Sequence, residues 1–266
     1  MGILMCRPDH FGIEYEINPW MHVEVSVSRG LAHEQWLALE QTYLALGVET
    51  EYVEPQGGLP DMVFTANAAV LWNGKAVLSN FRHPERQREE RHWRTFLESR
   101  GFEVYSLPRS LSFEGAGDAL FLGSKLFCGS GFRTDRQAHP LVAAILGVEL
   151  VSLELVDPRF YHLDTCFCPL DSSTALCALD AFSDASKRVI QEQVPNLIRV
   201  PADVAAGFAC NAMPIGQTVV SSMGILSLEP QLADAGFTTL GLSMTEFMKS
   251  GGGVRCLTLP LDLGTT

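Results

Sequence analysis

Basic residues are scarce in this chain, which has 19 Lys and Arg against 31 Asp and Glu and a formal net charge of −12 at pH 7. A balance this acidic repels phosphate backbones and anionic lipid headgroups, which argues against nucleic acid or a membrane surface as the main partner. The sequence also lacks a hydrophobic run of membrane-spanning length and an apolar N-terminal segment of secretory length. These absences favour a cytoplasmic protein.

Disulfide bonds are not expected either. The chain has seven cysteines, which is an odd number, and its 266 residues are enough to form a hydrophobic core that needs no disulfide cross-links. Cys166 and Cys168 form a C-x-C pair, but no second Cys or His pair stands at zinc spacing, so no metal site is predicted. The run Gly251–Gly253 lacks the spacing of a phosphate-binding loop, and no cofactor is predicted.

The chain contains an internal repeat. Each of four segments has a polar residue, a short β-like run, a polar turn and a second β-like run, and these segments open at Asn67, Asp118, Asp164 and Asn211. The openings are 51, 46 and 47 residues apart. The turn dipeptides suit β-hairpins. They are Asn73-Gly74, Gly123-Ser124, Asp171-Ser172 and Gly216-Gln217.

A helix and then a strand follow each hairpin in the predicted pattern. Helices are predicted over 84–100 and 184–193, and strands after Gly101, Gly147, Pro195 and Gly236. The N-terminal part has the helix and final strand of such a unit, predicted over 31–46 and 48–53, but no hairpin before them. The run 254–261 is the candidate for the missing part of this hairpin. We therefore predict an α/β fold of five ββαβ units in a ring, closed by both termini as one domain over 1–266. The alternative is an open α/β sheet with accidental spacings.

Residues at the same phase of each unit meet around the axis of such a ring. Besides the polar residues that open the four segments, Glu114, His162 and Cys256 lie at or near this position of the repeat. A histidine beside a cysteine favours the nucleophilic thiolate near neutral pH. A carboxylate such as Glu114 orients the imidazole and raises its basicity. The pattern therefore predicts a cysteine-nucleophile enzyme.

Four motifs in order resemble the guanidino-modifying enzymes, which include dimethylarginine dimethylaminohydrolases, arginine deiminases and amidinotransferases. They are LPDMVFTANAAV, FEGAGDAL, YHLDTCFCPL and EFMKSGGGVRCLTLPL. The resemblance runs nearly end to end. It implies the pentein fold, a five-bladed α/β propeller, in agreement with the ring expected from the repeats.

The resemblance also implies roles for individual residues. Cys256 corresponds to the nucleophile, His162 to the general acid/base, and Glu114 to the carboxylate that holds both the histidine and the guanidinium. Asp61 corresponds to the acidic residue that binds guanidinium nitrogens. The other residues assigned to substrate binding are Arg133 and Arg86 for the α-carboxylate, and Asn18, Asn67 and Ser250. Tyr15 is a candidate, by its position in the chain, for contact with the aliphatic part of the substrate.

One departure separates this chain from dimethylarginine hydrolases, which carry an acidic pair where Ala66 and Asn67 stand here. An amide both donates and accepts, so Asn67 suits a charged guanidinium and a neutral ureido group. With Asn18 in EYEINPWM, this is most similar to the arginine dihydrolase branch, which converts L-arginine through citrulline to ornithine, CO2 and two ammonia. The alternatives are a deiminase or dimethylarginine hydrolase that stops at citrulline, an amidinotransferase, and a non-catalytic arginine-binding protein. The expected partner is a small guanidino compound, and a homo-oligomer is compatible with the sequence.

Overall fold

The computed structural model describes residues 2–261, which form five three-stranded sheets. In chain order, the strands are β1 (Gly2–Cys6), β2 (Glu49–Val53), β3 (Ala69–Trp72), β4 (Lys75–Leu78), β5 (Glu103–Tyr105), β6 (Ala119–Leu122), β7 (Lys125–Ser130), β8 (Glu149–Glu154), β9 (Phe167–Pro169), β10 (Thr174–Cys177), β11 (Asn196–Arg199), β12 (Met213–Ile215), β13 (Thr218–Ser222), β14 (Thr238–Leu242) and β15 (Leu259–Pro260).

Every sheet has the same topology. Two strands form an antiparallel hairpin, and a third strand lies parallel to the second one: β3-β4-β5, β6-β7-β8, β9-β10-β11 and β12-β13-β14. A parallel third strand requires a crossover, which the intervening helix provides. The predicted turns are present, and at Asn73-Gly74 both residues have the positive φ of a type I′ turn, 48° and 75°.

The fifth sheet joins the two ends of the described chain. β1 pairs antiparallel with β15, Ile3 opposite Pro260, and parallel with β2, Gly2 opposite Glu49. The predicted closure by both termini is therefore confirmed. The C-terminal contribution is shorter than expected, because residues 254–257 form turns and only Leu259–Pro260 is a strand.

Six of the helices lie between the second and third strands of a unit, and the short sixth and eighth helices connect consecutive units. The helices in residues 2–261 are α1 (Arg29–Ala45), α2 (Pro84–Gln87), α3 (Glu90–Ser99), α4 (His139–Leu146), α5 (Asp184–Gln193), α6 (Ala202–Ala206), α7 (Glu229–Asp234) and α8 (Thr245–Met248). Helix α5 has the predicted bounds, whereas the predicted helix 84–100 is divided at Arg88 and Glu89. No helix in the described part of the chain is long and apolar enough to cross a bilayer.

The hydrophobic core lies between neighbouring sheets. Along β1, Ile3 and Met5 pack against residues of β12 and β13, whereas Leu4 and Cys6 pack against β3 and β4. Alternate side chains of a strand point to opposite faces, so β1 is buried on both faces, which agrees with its apolar sequence. The same packing around the ring brings the beginnings of the inner strands β3, β6, β9, β12 and β15 together.

Candidate active site

Hydrogen bonds link the five units where the inner strands begin. The Nδ2 atom of Asn67 donates to the Glu114 carbonyl at 3.4 Å, and Asp118 accepts from the Leu163 backbone N–H at 3.0 Å. The remaining three links are Asn211 Nδ2 to the Asp164 carbonyl, the Cys256 N–H to Asn211 Oδ1, and the Ala66 N–H to the Cys256 carbonyl. These links close the circle, and the side chains at this level are buried.

The Cys256 thiol lies in this ring with two polar neighbours. Asn211 Nδ2 donates to its sulfur at 3.1 Å, and the thiol donates to Asp164 Oδ2 at 3.4 Å. Burial raises the pKa of Cys256, and the negative charge of Asp164 raises it further. Burial also raises the pKa of Asp164, to about 7. The thiol is therefore protonated in this state and lies beside a carboxylate that titrates near neutral pH.

His162 is held by Glu114 on the neighbouring unit. Its Nε2 lies 2.7 Å from Glu114 Oε2, which also accepts from Arg133 Nη1 at 2.8 Å. Burial favours a neutral Glu114, but Arg133 and His162 outweigh it and hold the pKa of that carboxyl well below its ordinary value. Because the ionised carboxylate only accepts, Nε2 carries the proton. Nδ1 is buried and has no hydrogen-bond partner among residues 2–261.

Asp61 and Asn67 form the adjoining wall. Asp61 Oδ2 accepts from the Tyr15 hydroxyl at 3.0 Å, while its buried Oδ1 has no partner within the described chain. Burial raises the pKa of Asp61. Asn67 Oδ1 accepts from Arg86 Nη1 at 2.8 Å, and Arg86 also forms a two-bond ion pair with the buried Glu89 at 2.8 and 2.9 Å.

The N-terminal segment covers these groups. Asn18 Nδ2 donates to the Ser250 carbonyl at 3.0 Å, and Arg133 Nη2 donates to the Ile17 carbonyl at 2.9 Å. The Ser250 hydroxyl is buried and lacks a partner in the part of the chain that the structure describes. Tyr15 and Asn18 thus contact residues distant in sequence from them.

The structure brings the sequence-predicted residues together, with two differences in their contacts. No hydrogen bond joins Cys256 to His162 within residues 2–261, because Asn211 and Asp164 are the polar neighbours of the sulfur. The repeat places both residues at the ring axis, because each opens a repeat unit, but no role at the site was predicted for either. Arg86 and Arg133 contact carboxylates of the protein, so their assignment to a substrate carboxylate stays a prediction.

Comparison with known proteins identifies the family. The family model for N,N-dimethylarginine dimethylhydrolase, eukaryotic, matches residues 7–263. The chain belongs to this family. It is also 42% identical over 257 residues to the N(G),N(G)-dimethylarginine dimethylaminohydrolase of Mycobacterium tuberculosis, covering 97% of this chain and 84% of that protein.

Two cyanobacterial proteins are similar to this member of the family over a part of their length. The bifunctional arginine dihydrolase/ornithine cyclodeaminase ArgZ of Synechocystis sp. is 45% identical over 262 residues, and its counterpart AgrE of Nostoc sp. is 43% identical over 261. These matches cover 97% and 96% of this chain. The chain spans only 37% of the length of each relative.

Solved structures match the fold closely. The N-terminal domain of ArgZ covalently bound to a reaction intermediate has a TM-score of 0.96 and 44% identity, with 99% of this chain and 98% of that one covered. A dimethylarginine dimethylaminohydrolase adduct has a TM-score of 0.80 at 20% identity, covering 97% and 98%. The predicted five-bladed pentein fold is thereby confirmed.

Proposed function

We propose that this protein is an arginine dihydrolase that uses Cys256 as its nucleophile. The observation that carries the proposal is the orientation of Asn67. Arginine side chains only donate hydrogen bonds, so the contact with Arg86 assigns the oxygen of the Asn67 amide to that side. One N–H of the NH2 group donates to the Glu114 carbonyl, and the second N–H is left for a ligand. A donor at this position suits the ureido oxygen of citrulline, the intermediate that a dihydrolase must retain and process.

The first half-reaction begins with binding of the guanidinium. The carboxylates of Asp61 and Glu114 are both buried, Asp61 in the segment that precedes Asn67 and Glu114 on the neighbouring unit. Two buried carboxylates favour a planar cation that pairs with them in bidentate geometry. The unpartnered Oδ1 of Asp61 is available to such a ligand.

Substrate binding also activates the nucleophile. The cationic guanidinium favours ionisation of Cys256, and Asp164, 3.4 Å from the sulfur, accepts the proton. The thiolate attacks the guanidinium carbon. In this step His162 acts as the doubly protonated imidazolium, and its Nδ1 gives a proton to the departing ammonia, leaving a covalent thiouronium. His162, now neutral, takes a proton from water, which hydrolyses the thiouronium to citrulline and restores the thiolate.

The second half-reaction repeats this chemistry on the ureido carbon. Cys256 attacks, the C–N bond to ornithine breaks, and His162 protonates the departing amine. Water then cleaves the resulting S-carbamoyl group to carbamate, which breaks down to CO2 and ammonia. Overall, one arginine and two water molecules give ornithine, CO2 and two ammonia. All proposed groups lie within residues 2–261, which supports a single catalytic domain.

A second candidate function is hydrolysis of dimethylarginine, which the 42% identity with the Mycobacterium tuberculosis protein favours. The acidic pair expected in that reaction is replaced by Ala66 and Asn67, which supports the dihydrolase.

We infer a cytoplasmic location, supported by seven cysteines that are all free and buried.

Substrate choice tests the proposal. The purified protein is incubated separately with L-arginine, L-citrulline and asymmetric dimethylarginine, and the amino acids and amines formed are quantified. We expect ornithine from arginine and from citrulline. Dimethylamine as the main product, with no ornithine from either other substrate, would overturn the dihydrolase assignment in favour of the second candidate.

A further inference from the structure

A cavity of about 170 Å³ lies on the ring axis and shares no lining residue with the proposed catalytic groups Asp61, Glu114, His162 and Cys256. Its walls are inner-strand residues of β6, β9, β12 and β15 and the residues beside them. The lining residues are Leu120, Phe121, Phe167, Cys168, Pro169, Ala212, Met213, Pro214, Arg255 and Pro260. The cavity therefore lies where the inner strands of four units meet.

Arg255 is the one charged side chain among these described lining residues. It is only 7% exposed, and its guanidinium donates to the Thr258 carbonyl. Within residues 2–261 it forms no other side-chain hydrogen bond, and no carboxylate forms an ion pair with it. The charge of Arg255 favours the ionised form of the buried Asp164, but the two side chains form no direct ion pair. Buried charges in proteins are ordinarily paired directly. The free N–H groups of Arg255 are thus available to an anion in the cavity.

The rest of the wall specifies the kind of anion. Phe121, Pro169 and Pro214 are half-buried and mark the open side, whereas Leu120 and Met213 are buried more deeply. Apolar walls around one guanidinium suit a carboxylate on a compact hydrocarbon body better than a strongly hydrated anion such as phosphate. The volume is below the roughly 300–1,000 Å³ of sites for drug-sized ligands, which limits the ligand to a small molecule.

We propose that the axial cavity is a binding site for a small apolar monocarboxylate of about benzoate size, whose carboxylate pairs with Arg255 and whose hydrocarbon body contacts Phe121 and Met213. Because the lining residues differ from those of the substrate site, the ligand binds at a second site and is not a substrate. Its binding does not depend on the reaction that the enzyme catalyses.

The methyl group of Met213 reports on occupancy. The protein is labelled with methyl-13C methionine, the Met213 resonance is assigned among the eight methionines by Met213→Leu, and the full chain is titrated with benzoate. We expect a saturable shift of this resonance. Benzamide, which has the same shape but no charge, should bind at least tenfold more weakly, and saturating L-ornithine should not displace benzoate.

Substitution of the arginine completes the test. Arg255→Met should weaken benzoate binding at least tenfold, whereas Arg199→Met, at an exposed arginine outside the cavity, should leave it unchanged. No shift of Met213, equal binding of benzamide, displacement by ornithine, or undiminished binding by Arg255→Met would each overturn the proposal. If Arg255→Met does not fold, the comparison of benzoate with benzamide on the unmodified protein decides.

Discussion

The Nη1 group of Arg86 lies 2.8 Å from Oδ1 of Asn67 and donates a hydrogen bond to it. Arg86 is itself fixed by Glu89, three residues later in the chain, so a buried ion pair orients the amide. The Nδ2 group of Asn67 faces the Glu114 carbonyl. Both it and His162 Nδ1 border Gly117. The amide N–H donor and the unpartnered ring nitrogen of His162 thus lie next to the same glycine.

Asn67→Asp should separate the two half-reactions. A carboxylate still holds a guanidinium cation but offers no N–H to the neutral ureido oxygen. We expect the ratio of ornithine to citrulline to fall at least tenfold (about 1.4 kcal/mol) while consumption of arginine falls less. Chromatography of both products measures the ratio, and Asn196→Asp on the surface is the control. Undiminished ornithine formation would show that Asn67 has another role.

Arg86→Met should destabilise the fold by about 3–5 kcal/mol, because it leaves the fully buried Glu89 without its counter-charge. The double variant Arg86→Met/Glu89→Gln removes both charges and should recover much of this loss. Urea unfolding measures both values. We also expect the double variant to release citrulline, since the oxygen of the Asn67 amide then loses the donor that fixes its orientation. Unchanged stability of the single variant, or wild-type ornithine yield from the double variant, would contradict this role of Arg86.

Gly117→Ala should impair catalysis without unfolding the protein. A Cβ atom at Gly117 would clash with Asn67 Nδ2 and approach His162 Nδ1 to 3.3 Å, so both groups must move. Displacement of reacting groups by about 1 Å can cost on the order of 100-fold in rate. Gly30→Ala, whose Cβ meets nothing within 4 Å, is the matched control. Equal kcat of the two variants would refute the assigned positions of Asn67 and His162.

The titration of Asp164 should appear in the pH dependence of stability. Its pKa is raised from 3.8 to about 7 by burial, so the folded protein retains a proton that the unfolded chain releases near pH 4. Protonated Asp164 therefore stabilises the folded protein at low pH. As the pH rises towards 7 this contribution is lost, and the free energy of unfolding falls by at most about 4 kcal/mol. Urea unfolding at pH 5 and pH 8 should show a smaller loss for Asp164→Asn than for the wild type. An equal loss in both proteins would mean that Asp164 does not titrate in this range.

The sequence predicts the ring and the residues at its axis because the repeat is local: each unit has its own turn, helix and polar opener. Cys256 stands where the fifth unit begins, and this position could be found only by continuing the spacing of the repeat along the chain. The partners of the side chains were less predictable. Cys256 contacts Asn211 and Asp164 instead of His162, because its neighbours in the ring depend on how adjacent sheets pack. The contact of Asn18 with Ser250 joins segments 232 residues apart, and no local pattern encodes it.

The central claim is that the chain carries arginine beyond citrulline at a single cysteine. The most direct test is to count ornithine and ammonia per arginine consumed by the purified protein, with Cys256→Ser as the inactive control. We expect ornithine with two ammonia per arginine, and no turnover of either step by the Cys256→Ser variant. Citrulline with one ammonia would contradict the dihydrolase assignment, and appreciable activity of Cys256→Ser would contradict the covalent mechanism.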